Sequence, residues 1–71
     1  MPSLAEQFGT RIRELRMARG WSQEAFADNC EIHRSHMGEI ERGEVDVALT
    51  TLAKIAKGLD MSAGAILKGI I

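Results

Sequence analysis

Cys30, His33 and His36 recur at every third residue of "CEIHRSH", a spacing that invites a zinc reading. Zinc takes three or four ligands arranged around one point. Here a turn follows Cys30 and breaks the helical alignment that would bring the three together, so no metal is expected. Cys30 reads as a small buried apolar residue. For catalysis, one cysteine near two histidines in a solvent-facing corner lacks an enclosed pocket. The chain also contains no glycine-rich phosphate loop and no spaced carboxylate pair. It is therefore not read as an enzyme, and neither a cofactor nor a small-molecule ligand is expected. The remaining chemistry is cationic: Arg11, Arg13, Arg16 and Arg19 stand against Glu14 alone, four charges against one, a local +3. Such a run faces phosphate or is a solvated helix face, and charge alone does not separate the two.

Seventy-one residues make one domain, 1–71, near the lower size limit for folding without a metal or disulfides. A partner subunit is a natural source of further stability. A formal charge of -1 argues against a protein that coats nucleic acid non-specifically, since such chains are strongly basic. The single cysteine cannot form an internal disulfide, and "MPSLAEQFGTRIRELRMARG" has neither the apolar run nor the cleavage site of a signal peptide. No apolar run approaches the roughly 18 residues of a membrane span. The expected location is cytoplasmic, with no membrane contact.

Every element that could position these residues has helical periodicity, and no segment alternates as a half-buried strand does. The fold class expected is all-α, a compact five-helix bundle. Ser3 and Glu6 have capping-box spacing ahead of a helix from about Leu4 to Arg19, with Leu4, Phe8, Ile12 and Leu15 on one face and Gly20 at its end. Ser22 can cap a second helix carrying Ala25, Phe26, Ala27 and Cys30. A third runs from about Arg34 to Arg42, with Met37 and Ile40 inward and Gly43 after it. A fourth carries Leu49, Leu52, Ile55, Ala56 and Leu59, and Ser62 can cap a fifth with Ile66, Leu67 and Ile70 on its apolar side. The second and third helices are too short to be stable alone and must be held by packing. Trp21, Phe8, Phe26, Met17 and Met61 are assigned to the core or its edge.

From Gln23 to Arg42 the chain fits a helix-turn-helix: small Ala27 where two helices cross, apolar Ile32 in the turn, and Met37 and Ile40 inward. The stretch "RIRELRMARGWSQEAFADNCEIHRSHMGEIERG" with "TLAKIAKGLDMS" resembles the Cro and phage-repressor type of helix-turn-helix domain, often called the XRE family. The resemblance spans roughly Phe8 to Leu67. Within it, "CEIHRSHMGEIERG" is most similar to the controller proteins of restriction-modification systems. The resemblance implies that the helix opening at Arg34 enters the major groove N-terminus first while its predecessor crosses the backbone. Base contacts are then expected from Arg34, Ser35, His36 and Gln23. Arg34 suits guanine O6 and N7, a contact worth on the order of 1–3 kcal/mol of discrimination, whereas serine is a permissive donor or acceptor. Phosphate contacts are expected from Gln23, from Arg11 and from Arg42, the last being either a phosphate ligand or simply solvated. Arg16 and Glu41 are implied to pair inside the fold.

Four positions depart from that pattern. Glu31 stands where the turn usually has glycine, at a cost of about 1 kcal/mol. Glu44 and Asp46 place acid in a loop that is usually basic, and Ala48 replaces a hydroxyl cap. The resulting expectation is a sequence-specific transcriptional regulator. It would act as a homodimer on a near-palindromic operator in double-stranded DNA and be autoregulatory through its own concentration. The dimer contact is expected at Leu59, Ile66, Leu67, Ile70 and Ile71. The alternatives are a phage-type repressor, or an antitoxin or adaptor that keeps the helix-turn-helix shape to bind protein.

Overall fold

Four of the five helices begin at a residue whose side chain caps them, and the computed structural model describes all residues from Met1 to Ile71. Helix α1 is Leu4–Ala18, α2 Gln23–Cys30, α3 Arg34–Glu41, α4 Leu49–Leu59 and α5 Ala63–Leu67, with no strand. At α1 the capping box is complete: Ser3 Oγ accepts from the Glu6 N–H at 3.1 Å, and the Ser3 N–H donates to Glu6 Oε1 at 2.9 Å. Hydrogen bonding from Ser3, its backbone N–H foremost and then its hydroxyl, holds the Glu6 carboxyl below its ordinary pKa. Ser22 and Ser62 accept from the N–H groups of Ala25 and Ala65, each at 3.0 Å. Ala48 gives α4 no side-chain cap.

The helix ends follow the same logic. Gly20 and Gly43 take positive φ after α1 and α3. Glu31 and Asp60, at φ 57° and 55°, are non-glycine residues in the left-handed region at the C-caps of α2 and α4. Gly58 remains inside α4 because its bare backbone is pressed against Cys30, whose Sγ a Cβ there would strike. A Cβ on Gly9 would meet the carbonyl oxygens of Ile40 and Glu41, so α1 crosses the end of α3 at backbone contact.

The core draws on every helix. Phe8 and Ile12 of α1 meet Phe26, Ala27 and Cys30 of α2, Met37 and Ile40 of α3, Ile55 and Leu59 of α4, and Ile66 of α5. Each large side chain buried this way contributes about 1.5–3 kcal/mol. Trp21 stacks on Phe26 with ring centroids 6.0 Å apart, and Met61 packs at the core edge. Met17 does not join them and is 59% exposed. It lies five residues past Ile12, about 140° round the helix, on the far side from the core.

The expected dimer contact needs a larger correction. Leu59 and Ile66 are 1% and 0% exposed within the single chain. They sit where α4 and α5 close over α1 and α2, so neither can touch a second copy. No helix of the chain is long and apolar enough to cross a membrane.

Candidate nucleic-acid interface

The corner between α2 and α3 is built by two backbone bonds and one anchor. Glu31, left-handed at φ 57° and ψ 42°, reverses the chain. The N–H of Glu31 donates to Asp28 O at 3.1 Å and that of Ile32 to Ala27 O at 2.9 Å, satisfying carbonyls at the end of α2. Ile32 is buried in the core and pins the turn. The chain then enters α3 with His33 as N-cap, its Nδ1 accepting from the Ser35 N–H at 3.2 Å.

With Met37, Ile40 and Glu41 turned inward, the first turn of α3 faces out. Arg34 and Ser35 are exposed and His36 is partly so. Arg34 Nη1 donates to Glu24 Oε2 on α2 at 3.3 Å, a contact between two well-exposed side chains. Ser35 Oγ lies 2.6 Å from His33 Nδ1, and His36 Nδ1 lies 3.3 Å from Glu39 Oε1. Cys30, His33 and His36 do not converge. Cys30 points into the core, where burial pushes its thiol pKa up to about 11, while the two imidazoles contact Ser35 and Glu39.

Behind this face α3 is tied to α1 and α2 through one carboxylate. Glu41 Oε2 accepts from Arg16 Nε at 2.8 Å, and Oε1 accepts from Arg16 Nη2 at 3.0 Å and Gln23 Nε2 at 3.2 Å. Arg16 Nη1 also donates to Trp21 O at 3.0 Å. The fork geometry satisfies both charges, as their burial requires. No buried side-chain nitrogen or oxygen lacks a partner. Gly38 keeps the adjoining surface of α3 bare, since a Cβ there would lie 2.9 Å from Arg42 Nη1 and 3.4 Å from Gln23 Oε1. Arg13, Arg16, Gln23, Glu41 and Arg42 together line a small concavity beside the N-terminus of α2. Three guanidinium groups line it with the Glu41 carboxylate, and Glu44 pairs with Arg42 at its edge, so the hollow keeps one cation in excess, Arg13, to meet an anion.

The expected phosphate ligands are not equally placed. Gln23 and Arg42 border the hollow, but Arg42 is held by Glu44, Nε to Oε2 at 2.7 Å and Nη2 to Oε1 at 3.2 Å. That pairing raises the pKa of Arg42 and lowers that of Glu44. Arg11 stands elsewhere. Its Nε and Nη2 donate to the carbonyls of Ile66 and Ala65 at 3.1 and 3.3 Å, which makes it a strut between α1 and the end of α5. A guanidinium suits those unpaired helix-terminal carbonyls, and this correction removes Arg11 from the phosphate set. Arg13, exposed and without a hydrogen-bonded partner, takes its place at the hollow. Its signal in the sequence was its position three residues before Arg16 on α1.

On another side, Leu67 and Ile71 line an apolar groove of about 460 Å³ with Leu4, Val47, Leu49 and Leu52. Leu4, Leu49 and Ile71 are largely exposed. Ile70, partly exposed, lies on the neighbouring surface with Lys68 and Gly69.

Comparison with known proteins agrees with this geometry. A family model described as a helix-turn-helix domain matches residues 7–66. The chain is 40% identical over 53 residues to the control protein C.BamHI of Bacillus amyloliquefaciens, covering 73% of this chain and 65% of that one. It is 38% identical over 61 residues to SutR, a helix-turn-helix-type transcriptional regulator of Escherichia coli strain K12, covering 86% of this chain and 34% of that one. The chain thus spans less than two thirds of the length of either curated relative. The crystal structure of the restriction-modification controller protein C.AhdI of Aeromonas hydrophila superposes with a TM-score of 0.84 at 40% identity, covering 87% of this chain and 94% of that one. With its α2–α3 corner, five-helix order and matched span all in agreement, the chain belongs to the helix-turn-helix domain family and is similar within it to the restriction-modification controllers.

Proposed function

We propose that the chain is a sequence-specific DNA-binding transcriptional regulator of the controller type, with α3 as the helix that enters the major groove. The observation that carries this reading is the exposed first turn of α3, with Arg34, Ser35 and His36 outward beside a net-positive hollow at the start of α2. Side chains at the head of α3 reach base edges while Gln23, Arg13 and Arg42 meet the backbone of the duplex. Arg34 offers two parallel donors to guanine once it leaves Glu24. The chain works as a homodimer on a near-palindrome, because one module of this size buries too little surface for tight specific binding. The groove beside Leu67 and Ile71 supports that assembly, whereas Ile70 lies among polar residues, Arg11, Glu14 and Lys68, outside it. Regulation of its own synthesis then follows protein concentration.

A second reading, a protein-binding adaptor, draws on Glu44, which neutralises Arg42 at the very place where phosphate would lie. Titration of the protein into its own upstream DNA at two salt concentrations separates the two. A DNA reader binds in two-fold units and weakens steeply with salt as counterions are released, whereas an adaptor binds no better than to a random duplex.

A further inference from the structure

The hydrogen bonds at the head of α3 fix the polarity of a side chain that sequence alone leaves undetermined. A serine hydroxyl is both a donor and an acceptor, so Ser35 as a residue type distinguishes no base. In the structure its neighbour removes that freedom. The backbone N–H of Ser35 can only donate, and it donates to His33 Nδ1 at 3.2 Å. This bond selects the neutral ring tautomer with the proton on Nε2, in which Nδ1 presents its single lone pair. Ser35 Oγ approaches the same nitrogen at 2.6 Å, and in that tautomer two lone pairs cannot face each other at that distance, so the hydroxyl hydrogen points to Nδ1 and shares its lone pair with the backbone N–H. What Ser35 shows to the outside is then an oxygen with lone pairs only. The imidazole proton sits on Nε2, which has no hydrogen-bond partner in the chain, as a donor next to it.

We infer that His33, through this bond, makes Ser35 an acceptor that selects an exocyclic amino group, adenine N6 or cytosine N4, and disfavours guanine and thymine at the position it faces. This rests on the proposed reading of α3 as the groove helix. In the major groove guanine offers only the acceptors O6 and N7, and thymine only O4 and its methyl group, so neither can donate to such an oxygen. His33 is thus a positioning residue. It acts on the base through Ser35 and caps the helix at the same time.

The test is selection of binding sites from a randomised duplex pool by the wild-type chain and by Ser35→Ala, His33→Ala and His33→Asn, with affinities then measured on single-base variants of the selected site. Wild type is expected to select adenine or cytosine at one position of each half-site, the position whose preference Ser35→Ala abolishes. His33→Ala frees the hydroxyl to donate, and discrimination there falls about tenfold while the other positions keep theirs. His33→Asn supplies a neutral capping oxygen that accepts both bonds, so it retains the preference and shows that lost helix structure is not the cause. Replacing a selected adenine by 2-aminopurine, which moves the amino group to the minor groove, should cost wild type the same factor and cost Ser35→Ala nothing. For a selected cytosine, pyrimidin-2-one makes the same test. Guanine or thymine at the Ser35-dependent position, or undiminished discrimination by His33→Ala, would overturn the inference while leaving the DNA-reading function intact. Failure of wild type to select any sequence would overturn the function and the inference together.

Discussion

Replacing Glu41 by alanine removes the only carboxylate that faces Arg16 and the acceptor for Gln23. The Arg16 side chain is 14% exposed and that of Glu41 3%, so the surviving guanidinium is left with a single carbonyl, Trp21 O, in surroundings largely closed to water. Breaking a buried pair in this way costs about 3–5 kcal/mol. A domain of this length has a total stability of roughly 4–11 kcal/mol, so Glu41→Ala should lose between about a quarter and all of it. Urea unfolding followed by Trp21 fluorescence reads this directly, as a midpoint lowered by about 2–4 M or as a chain unfolded without denaturant. The double variant Arg16→Met with Glu41→Leu removes both charges and should recover most of the loss, because a well-packed apolar pair is near neutral relative to the ion pair. A loss below about 1 kcal/mol for Glu41→Ala, the range of exposed pairs, would refute the claim that this carboxylate fastens α3 to α1 and α2.

Three further outcomes are expected. Glu31→Gly relieves a left-handed side chain in the corner and should raise stability by about 1 kcal/mol in the same urea assay, with fold and DNA affinity retained. Glu24→Gln releases Arg34 from its surface partner and should tighten binding to the selected site about two- to fivefold in a fluorescence titration, an effect that Arg34→Ala abolishes. Alkaline pH should destabilise the chain through Cys30. The folded thiol keeps its proton to about 11 whereas the unfolded one loses it near 9.0, so the native state binds more protons in that window and stability falls by about 2 kcal/mol between the two values. Unfolding curves at pH 8 and 11 should show this for wild type and not for Cys30→Ala.

What the sequence revealed was mostly local. Ser3, Ser22 and Ser62 could be read as caps because the partner N–H lies three residues away, and Gly20 and Gly43 as stops because a helix end asks for positive φ. The all-α class and the order of five helices follow from the same short-range chemistry. The Arg16–Glu41 pair, 25 residues apart, came instead from the family resemblance, since no spacing rule joins α1 to α3. Long-range partners of flexible side chains were hidden for the same reason. Arg11 finds carbonyls 54 and 55 residues away, and only the packing of α5 against α1 brings them within reach. Helical periodicity placed Leu59 and Ile66 on an apolar face, but it does not say whether that face meets the chain's own helices or a second copy. The polarity of Ser35 was equally out of reach, because it depends on the rotamer that brings His33 Nδ1 over the helix start.

The central claim is that the head of α3 and the start of α2 touch DNA. Chemical-shift mapping of the ¹⁵N-labelled chain, titrated with its upstream duplex and with a random duplex of equal length, tests it most directly. The account predicts that the specific duplex moves the amides of Gln23 and of residues 33–38 most, with Arg13 and Arg42 following, and that the random duplex moves only those facing phosphate. Shifts confined to the groove around Leu49, Leu67 and Ile71, or identical shifts with both duplexes, would contradict it.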